Sequence, residues 1–271
     1  MVRKILIIIA LFAAFATAQG QVNYDLLEKI DFNDTTLVDS DYLKTALSEY
    51  IDAAQNPGAD AQKQMFDYIL AVDAVLQRCT DFEMYKSVYQ YFIYGFSALG
   101  ANMLVDYMMS LPYLERVKAT NAQIDEIIKL AGSFERVKIG QEAPDIQAVT
   151  IENNDFSLYG IENEYVIILF WSSTCPHCRD LLVELSDFAK KHKNCTVVTV
   201  TVSKDFKQVR KLLKKSGLKK GFNICDGEGW NSKIIQDYAV DTTPSLFLLD
   251  KDKVIVAKPF DYEELVNSIG L

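Results

Sequence analysis

Apolar residues recur every third or fourth position through the first half of the chain, the spacing of helices with one buried face. From Ser40, Leu43, Leu47 and Tyr50 share one side, and Asn56-Pro57-Gly58 supplies the stop. A second helix is predicted over 59–78, where Met65, Ile69, Val72 and Leu76 repeat, and a third over 82–99, carrying Tyr85, Tyr89, Phe92 and Phe96. Those aromatics could line a ligand groove, but their helical spacing favours core packing. A short helix at 102–110 and a longer one at 113–131 are separated by Pro112. This half holds no recognisable active-site motif.

The texture changes near Gly132, so an all-helical domain over 22–135 is expected to precede a second domain over 138–271. Residues 148–151 and 156–159, split by Glu152-Asn153-Asn154-Asp155, read as a hairpin. Residues 165–170 form an unbroken apolar run, the pattern of a strand buried on both faces, and 175–193 follow as a helix with Leu181, Leu185 and Phe188 in period. A strand at 195–202, a basic helix over 204–220, a short strand at 222–225 and a helix at 232–238 come next. A hairpin of 246–249 and 254–257 and a helix at 262–269 close the chain. Such alternation predicts an α/β fold, a mixed central sheet with helices on both faces.

Composition narrows the partners. The 271 residues carry a formal net charge of −9, and 49% of them are hydrophobic, enough for two cores. An acidic chain of this kind is not built to neutralise a phosphate backbone, so nucleic acid is excluded as a partner. The one basic run, 204–220, reads as the solvent face of a helix with Phe206, Val209, Leu212 and Leu213 beneath. Residues 1–18 have the form of a signal peptide: Arg3 and Lys4, an apolar run over 5–15, then Ala16-Thr17-Ala18 as a small-residue cleavage site. Export to the periplasm is therefore expected, without stable membrane insertion after cleavage, in a compartment that permits disulfide chemistry.

The chemistry concentrates in Trp171-Ser172-Ser173-Thr174-Cys175-Pro176-His177-Cys178-Arg179, between the buried strand and its helix. Two cysteines three apart at a helix start can close a small disulfide ring. The first sulfur then faces free backbone N–H groups and the positive end of the helix dipole, a field that favours the thiolate. The thiolate is the species that attacks disulfides, and such sites lower a cysteine pKa from about 8.5 into roughly the 3.5–7.5 range. His177 can add a positive charge or a hydrogen bond, and Pro176 fixes φ and removes a donor. Zinc would need a second ligand pair, but His192 is the only other histidine, and Cys79, Cys195 and Cys225 stand apart as small buried hydrophobes. Haem attachment would need a histidine where Arg179 stands. A dithiol redox pair, with no cofactor or metal, is left.

Residues 138–271 resemble the TlpA/ResA-like thiol–disulfide oxidoreductases of thioredoxin-like fold. The resemblance is carried by Gly140-Gln141-Glu142-Ala143-Pro144-Asp145, by Phe170-Trp171 before the dithiol, by Tyr238-Ala239-Val240, and by Thr242-Thr243-Pro244 before an apolar strand. It implies Cys175 as exposed nucleophile, Cys178 as buried resolving thiol, and Trp171 as the aromatic beneath the site. It further implies Pro244 as a cis-proline against the dithiol, Thr243 as the backbone that pairs with substrate, and protein thiols and disulfides plus a membrane or periplasmic redox partner as reactants.

Two positions depart from that pattern. Leu169 replaces the buried acid of thioredoxins, and Leu181 replaces a glutamate of ResA-like proteins, leaving water, Glu184 or Asp180 to take the Cys178 proton. Pro176-His177 matches the pair of DsbA-like oxidants and implies a more oxidising potential than thioredoxin's, whereas the resembling family acts mostly as reductants, so oxidant, reductant and isomerase all stay open. Two rivals remain: a peroxiredoxin-like peroxidase, because Ser172-x-x-Cys175 echoes that motif, and a cell-envelope binding or assembly protein whose dithiol is vestigial.

Overall fold

A computed structural model describes residues 24–219 and 221–270; the signal segment 1–18 lies outside the described residues. The described helices are α1 (Asp41–Ala53), α2 (Ala61–Leu76), α3 (Phe82–Ala98), α4 (Asn102–Met109), α5 (Asn121–Arg136), α6 (Pro176–Lys191), α7 (Phe206–Ser216), α8 (Lys233–Asp237) and α9 (Tyr262–Ile269). The strands are β1 (Gln147–Val149), β2 (Asp155–Ser157), β3 (Tyr165–Trp171), β4 (Cys195–Thr201), β5 (Phe222–Ile224), β6 (Ser245–Leu249) and β7 (Ile255–Ala257).

The chain packs as two compact units. Among the described residues, one contains those up to Tyr89 together with Pro112–Lys118, the other Gln90–Leu111 with those from Ala119 onward. Their border does not coincide with a single cut between 135 and 138, because α3 gives its first half to one unit and its second half to the other.

In the first unit, α1 starts where the Ser40 hydroxyl accepts the Leu43 N–H at 3.1 Å, and Leu43, Leu47 and Tyr50 are buried as their spacing requires. Asp60 caps α2 through the Lys63 N–H at 2.8 Å. Tyr85 and Tyr89 stack with ring centroids 5.9 Å apart, and the Tyr85 hydroxyl donates to the Pro112 carbonyl at 3.0 Å. The aromatic row of α3 is therefore packing: Tyr85, Tyr89, Phe92 and Phe96 are all buried.

The expectation of a helix at 113–131 is corrected. Leu111, Tyr113 and Lys118 adopt positive φ, and between them stands one 3-10 turn, Leu114–Val117. The helix proper starts at Asn121, where Thr120 and Gln123 form a capping box, and it runs through Gly132 to Arg136. The change of texture therefore falls after Arg136 and not at Gly132.

The second unit is built on a five-stranded sheet ordered β5-β4-β3-β6-β7. β3 pairs parallel with β4 and antiparallel with β6, so both its edges are taken, and a core on each side of the sheet buries both its faces, which is what the apolar run requires. Val166, Ile168 and Phe170 enter one core with Tyr238 and Phe247; Ile167, Leu169 and Trp171 enter the other, beneath α6. β1 and β2 form the expected hairpin. Helices α4 and α5 and the second half of α3 also belong here: Tyr94 and Phe134 meet edge-on at 4.6 Å, and Asn102 donates to the Ile139 carbonyl at 2.9 Å. In α7, Val209 and Leu213 are buried but Phe206 is exposed, so the apolar stripe under the basic run is narrower than expected.

Candidate functional site

The loop from Trp171 to Cys175 leaves the carboxyl end of the central strand and is held in place by side chains from β4 and α7. Buried Ser173 donates its N–H to Ser203 Oγ at 2.7 Å and its hydroxyl to Gln208 Oε1 at 3.2 Å. The Trp171 carbonyl accepts the Val202 N–H and the Thr201 hydroxyl, each at 3.0 Å. Ser203 and Gln208 lie 30 and 35 residues from Ser173 in sequence, and no local motif marks them.

Cys175 is the N-cap of α6, and Pro176 occupies the first turn, where a missing N–H leaves no helical bond unmade. Cys175 Sγ accepts the Cys178 N–H at 3.2 Å and lies 3.5 Å from the Thr243 carbonyl oxygen. Its own N–H donates to the Ser172 carbonyl at 3.2 Å. The sulfur thus sits at the helix start, as the spacing predicts. Cys175 is half-buried and Cys178 fully buried; both carry free thiols.

Thr243-Pro244 is a cis peptide, and the Thr243 carbonyl lies across from Cys175. Trp171 is wholly buried with Cys178, Leu181 and Leu185, and its indole N–H has no hydrogen-bond partner among the described residues. Pro176 and His177 are exposed on the helix start. Cys175, Cys178, Thr243 and Pro244 are therefore brought together, with Trp171 beneath and His177 facing out.

Burial pushes the Cys178 thiol up to about 12, reinforced by the adjacent Cys175 sulfur. Leu169 and Leu181 are part of the reason. Both are buried in the same apolar cluster as Cys178 and offer it no proton acceptor. Asp180 and Glu184 lie on the exposed face of α6 while Cys178, Leu181, Leu182 and Leu185 take the inner face. The remaining cysteines are buried too. Burial raises Cys79 to about 12 and Cys195 to about 11, and Cys225 is also raised by burial. Cys225 Sγ lies 3.3 Å from the Ser203 carbonyl oxygen, the residue that holds Ser173.

The AhpC/TSA family profile matches residues 139–258, the sheet and helices that build this site. That match spans 120 of the 271 residues, less than half of the chain. Among characterised relatives, the chain is 29% identical over 126 residues to a protein named thiol-disulfide oxidoreductase ResA from Bacillus cereus, covering 46% of this chain and 70% of the relative. It is likewise 29% identical over 123 residues to the thioredoxin-like protein YneN of Bacillus subtilis, covering 44% of this chain and 69% of that one. A crystal structure of a thioredoxin-like protein from Bacteroides caccae shares the fold over 90% of this chain and 88% of its own, with a TM-score of 0.54 and 18% identity. The chain is thus similar to proteins named thiol-disulfide oxidoreductases and has a thioredoxin-like fold, with a helical region ahead of the sheet.

Proposed function

We propose that the protein exchanges disulfides with protein partners outside the cytoplasm through Cys175 and Cys178. The Cys175 thiolate attacks one sulfur of a partner disulfide, forming a mixed disulfide and releasing the other sulfur as a thiolate. Cys178 then loses its proton to solvent and attacks Cys175, closing the Cys175–Cys178 disulfide and releasing the second partner thiol. Two electrons pass from the dithiol to the partner; run backwards, the same steps oxidise a partner dithiol. The observation that carries this reading is the division of labour between the sulfurs: Cys175 reachable at the helix start, Cys178 buried against it. Thr243 and Pro244 would align the partner segment, Trp171 would support the loop, and Pro176 and His177 would tune the thiolate.

Export through residues 1–18 to the periplasm belongs to the same proposal; among the described residues no helix is long and apolar enough to cross a membrane. The family match favours thiol peroxidase activity as the second reading, with Cys175 attacking peroxide oxygen.

Trapping tests both. Cys178→Ser should accumulate a mixed disulfide with a cystine-containing protein, and Cys175→Ser should form none. Peroxide consumption at a rate above disulfide exchange would favour the peroxidase, and normal exchange by Cys175→Ser would refute the reading.

A further inference from the structure

Against Pro244 lies a pocket of about 110 Å³ whose walls include Tyr94, Phe134, Phe247 and the exposed ring of Phe260. One cation reaches into this mostly apolar space. Lys258, which directly follows β7, sends Nζ to Ser97 Oγ at 2.8 Å and over the Phe247 ring, 5.3 Å from its centroid. A hydroxyl and a ring face are its partners; no carboxylate within reach pairs with it among the described residues. An ammonium removed from water without a counter-charge is costly, and here desolvation pulls the Lys258 pKa down to about 7. A bound carboxylate would restore the charge. Asp241 sits exposed at the same rim, and its field acts on the Tyr94 hydroxyl, whose pKa rises, mainly through burial.

Ser245, Thr242 and Pro244 share the pocket wall, so the pocket adjoins the segment around Thr243 proposed to pair with substrate. A polypeptide laid along Thr243 would pass this pocket within a few residues of its reacting cysteine. We propose that the pocket receives an aspartate or glutamate side chain of the protein substrate, held by the Lys258 ammonium against the aromatic wall. Lys258 then acts as a specificity residue. The proposal rests on the disulfide-exchange reading for its substrate, but its recognition step needs no electron transfer.

Pairs of cystine-bridged peptides, acetylated and amidated so that only a side chain can supply the carboxylate, test it. The members of a pair differ by Glu or Gln at one position flanking the cystine, and kcat/KM is measured for both on the full chain. At one flanking position Glu should be preferred by roughly tenfold, the scale of a hydrogen bond to a charged group. Lys258→Met should bring the ratio to near one, Lys258→Arg should keep it above one, and Lys258→Glu should invert it. Each ratio compares two substrates on one preparation, so partial unfolding of a variant cancels. A ratio near one at every position in the unaltered protein, or a preference that survives Lys258→Met, would overturn the proposal. Affinities of the same peptides with serine for cysteine, read by fluorescence anisotropy, separate the two claims. Selective binding without exchange refutes the exchange reading alone; equal exchange with equal binding refutes the pocket alone.

Discussion

At the scale of single residues, five cysteines in one chain differ mainly in how water reaches them. Cys175 is the half-buried one, while Cys79, Cys178, Cys195 and Cys225 are buried. Iodoacetamide should therefore label the reduced native protein once, at Cys175, and five times in denaturant, which peptide mapping by mass spectrometry can count. In Cys175→Ser, labelling of Cys178 should be slow and should climb about tenfold per pH unit through pH 9 without levelling, because a thiol pushed up to about 12 stays protonated throughout that range. A plateau below pH 9 would contradict the apolar setting that Leu169 and Leu181 provide. The cysteine pair was legible from residue type and local order, and Pro244 and Trp171 from the family resemblance. Ser203 and Gln208 were not, since they reach Ser173 only after β4 and α7 pack beside the loop.

Elements followed their periodicity wherever burial alone decides. The run at 165–170 became β3, paired on both sides, because no polar residue interrupts it. The stretch at 113–120 misled because positive φ at Tyr113 and Lys118 is not a preference visible in those residue types. A left-handed residue also ends α7: Gly217, at φ 89°, caps the helix, and a Cβ built there would lie 2.6 Å from Ser186 Oγ on α6. That hydroxyl is buried and unpartnered among the described residues. Gly217→Ala should lower stability by at least roughly 1 kcal/mol. Ser186→Ala should be close to neutral by itself, since it removes a buried polar group rather than a bond. The double variant should recover part of the loss, so a thermal-unfolding double-mutant cycle should show positive coupling. Simple additivity would contradict the contact between α6 and α7.

For the whole molecule, the change from helical to strand periodicity does not mark where the packing units divide. Residues 90–111 and 119–136 group with the sheet, through Tyr94 on Phe134 and Asn102 on the Ile139 carbonyl. A chain beginning at 138 should therefore unfold at lower urea than one beginning at Phe82, by roughly 2 kcal/mol or more from the lost aromatic and apolar burial. Equal midpoints would show that the helices contribute nothing to that unit. The acidity, the dithiol and the thioredoxin-like sheet were all readable in sequence; the sharing of α3 between two units was not, because a continuous helix carries no mark of where its partners change. The most direct test of the central claim is equilibration with glutathione buffers of graded potential, with disulfides mapped at each step. One two-electron transition confined to Cys175–Cys178 is predicted, at a potential above the roughly −270 mV of thioredoxin. Failure of those two sulfurs to pair at any potential, or a disulfide mapped to other cysteines, would contradict the account; a midpoint at or below that value would overturn its oxidising lean.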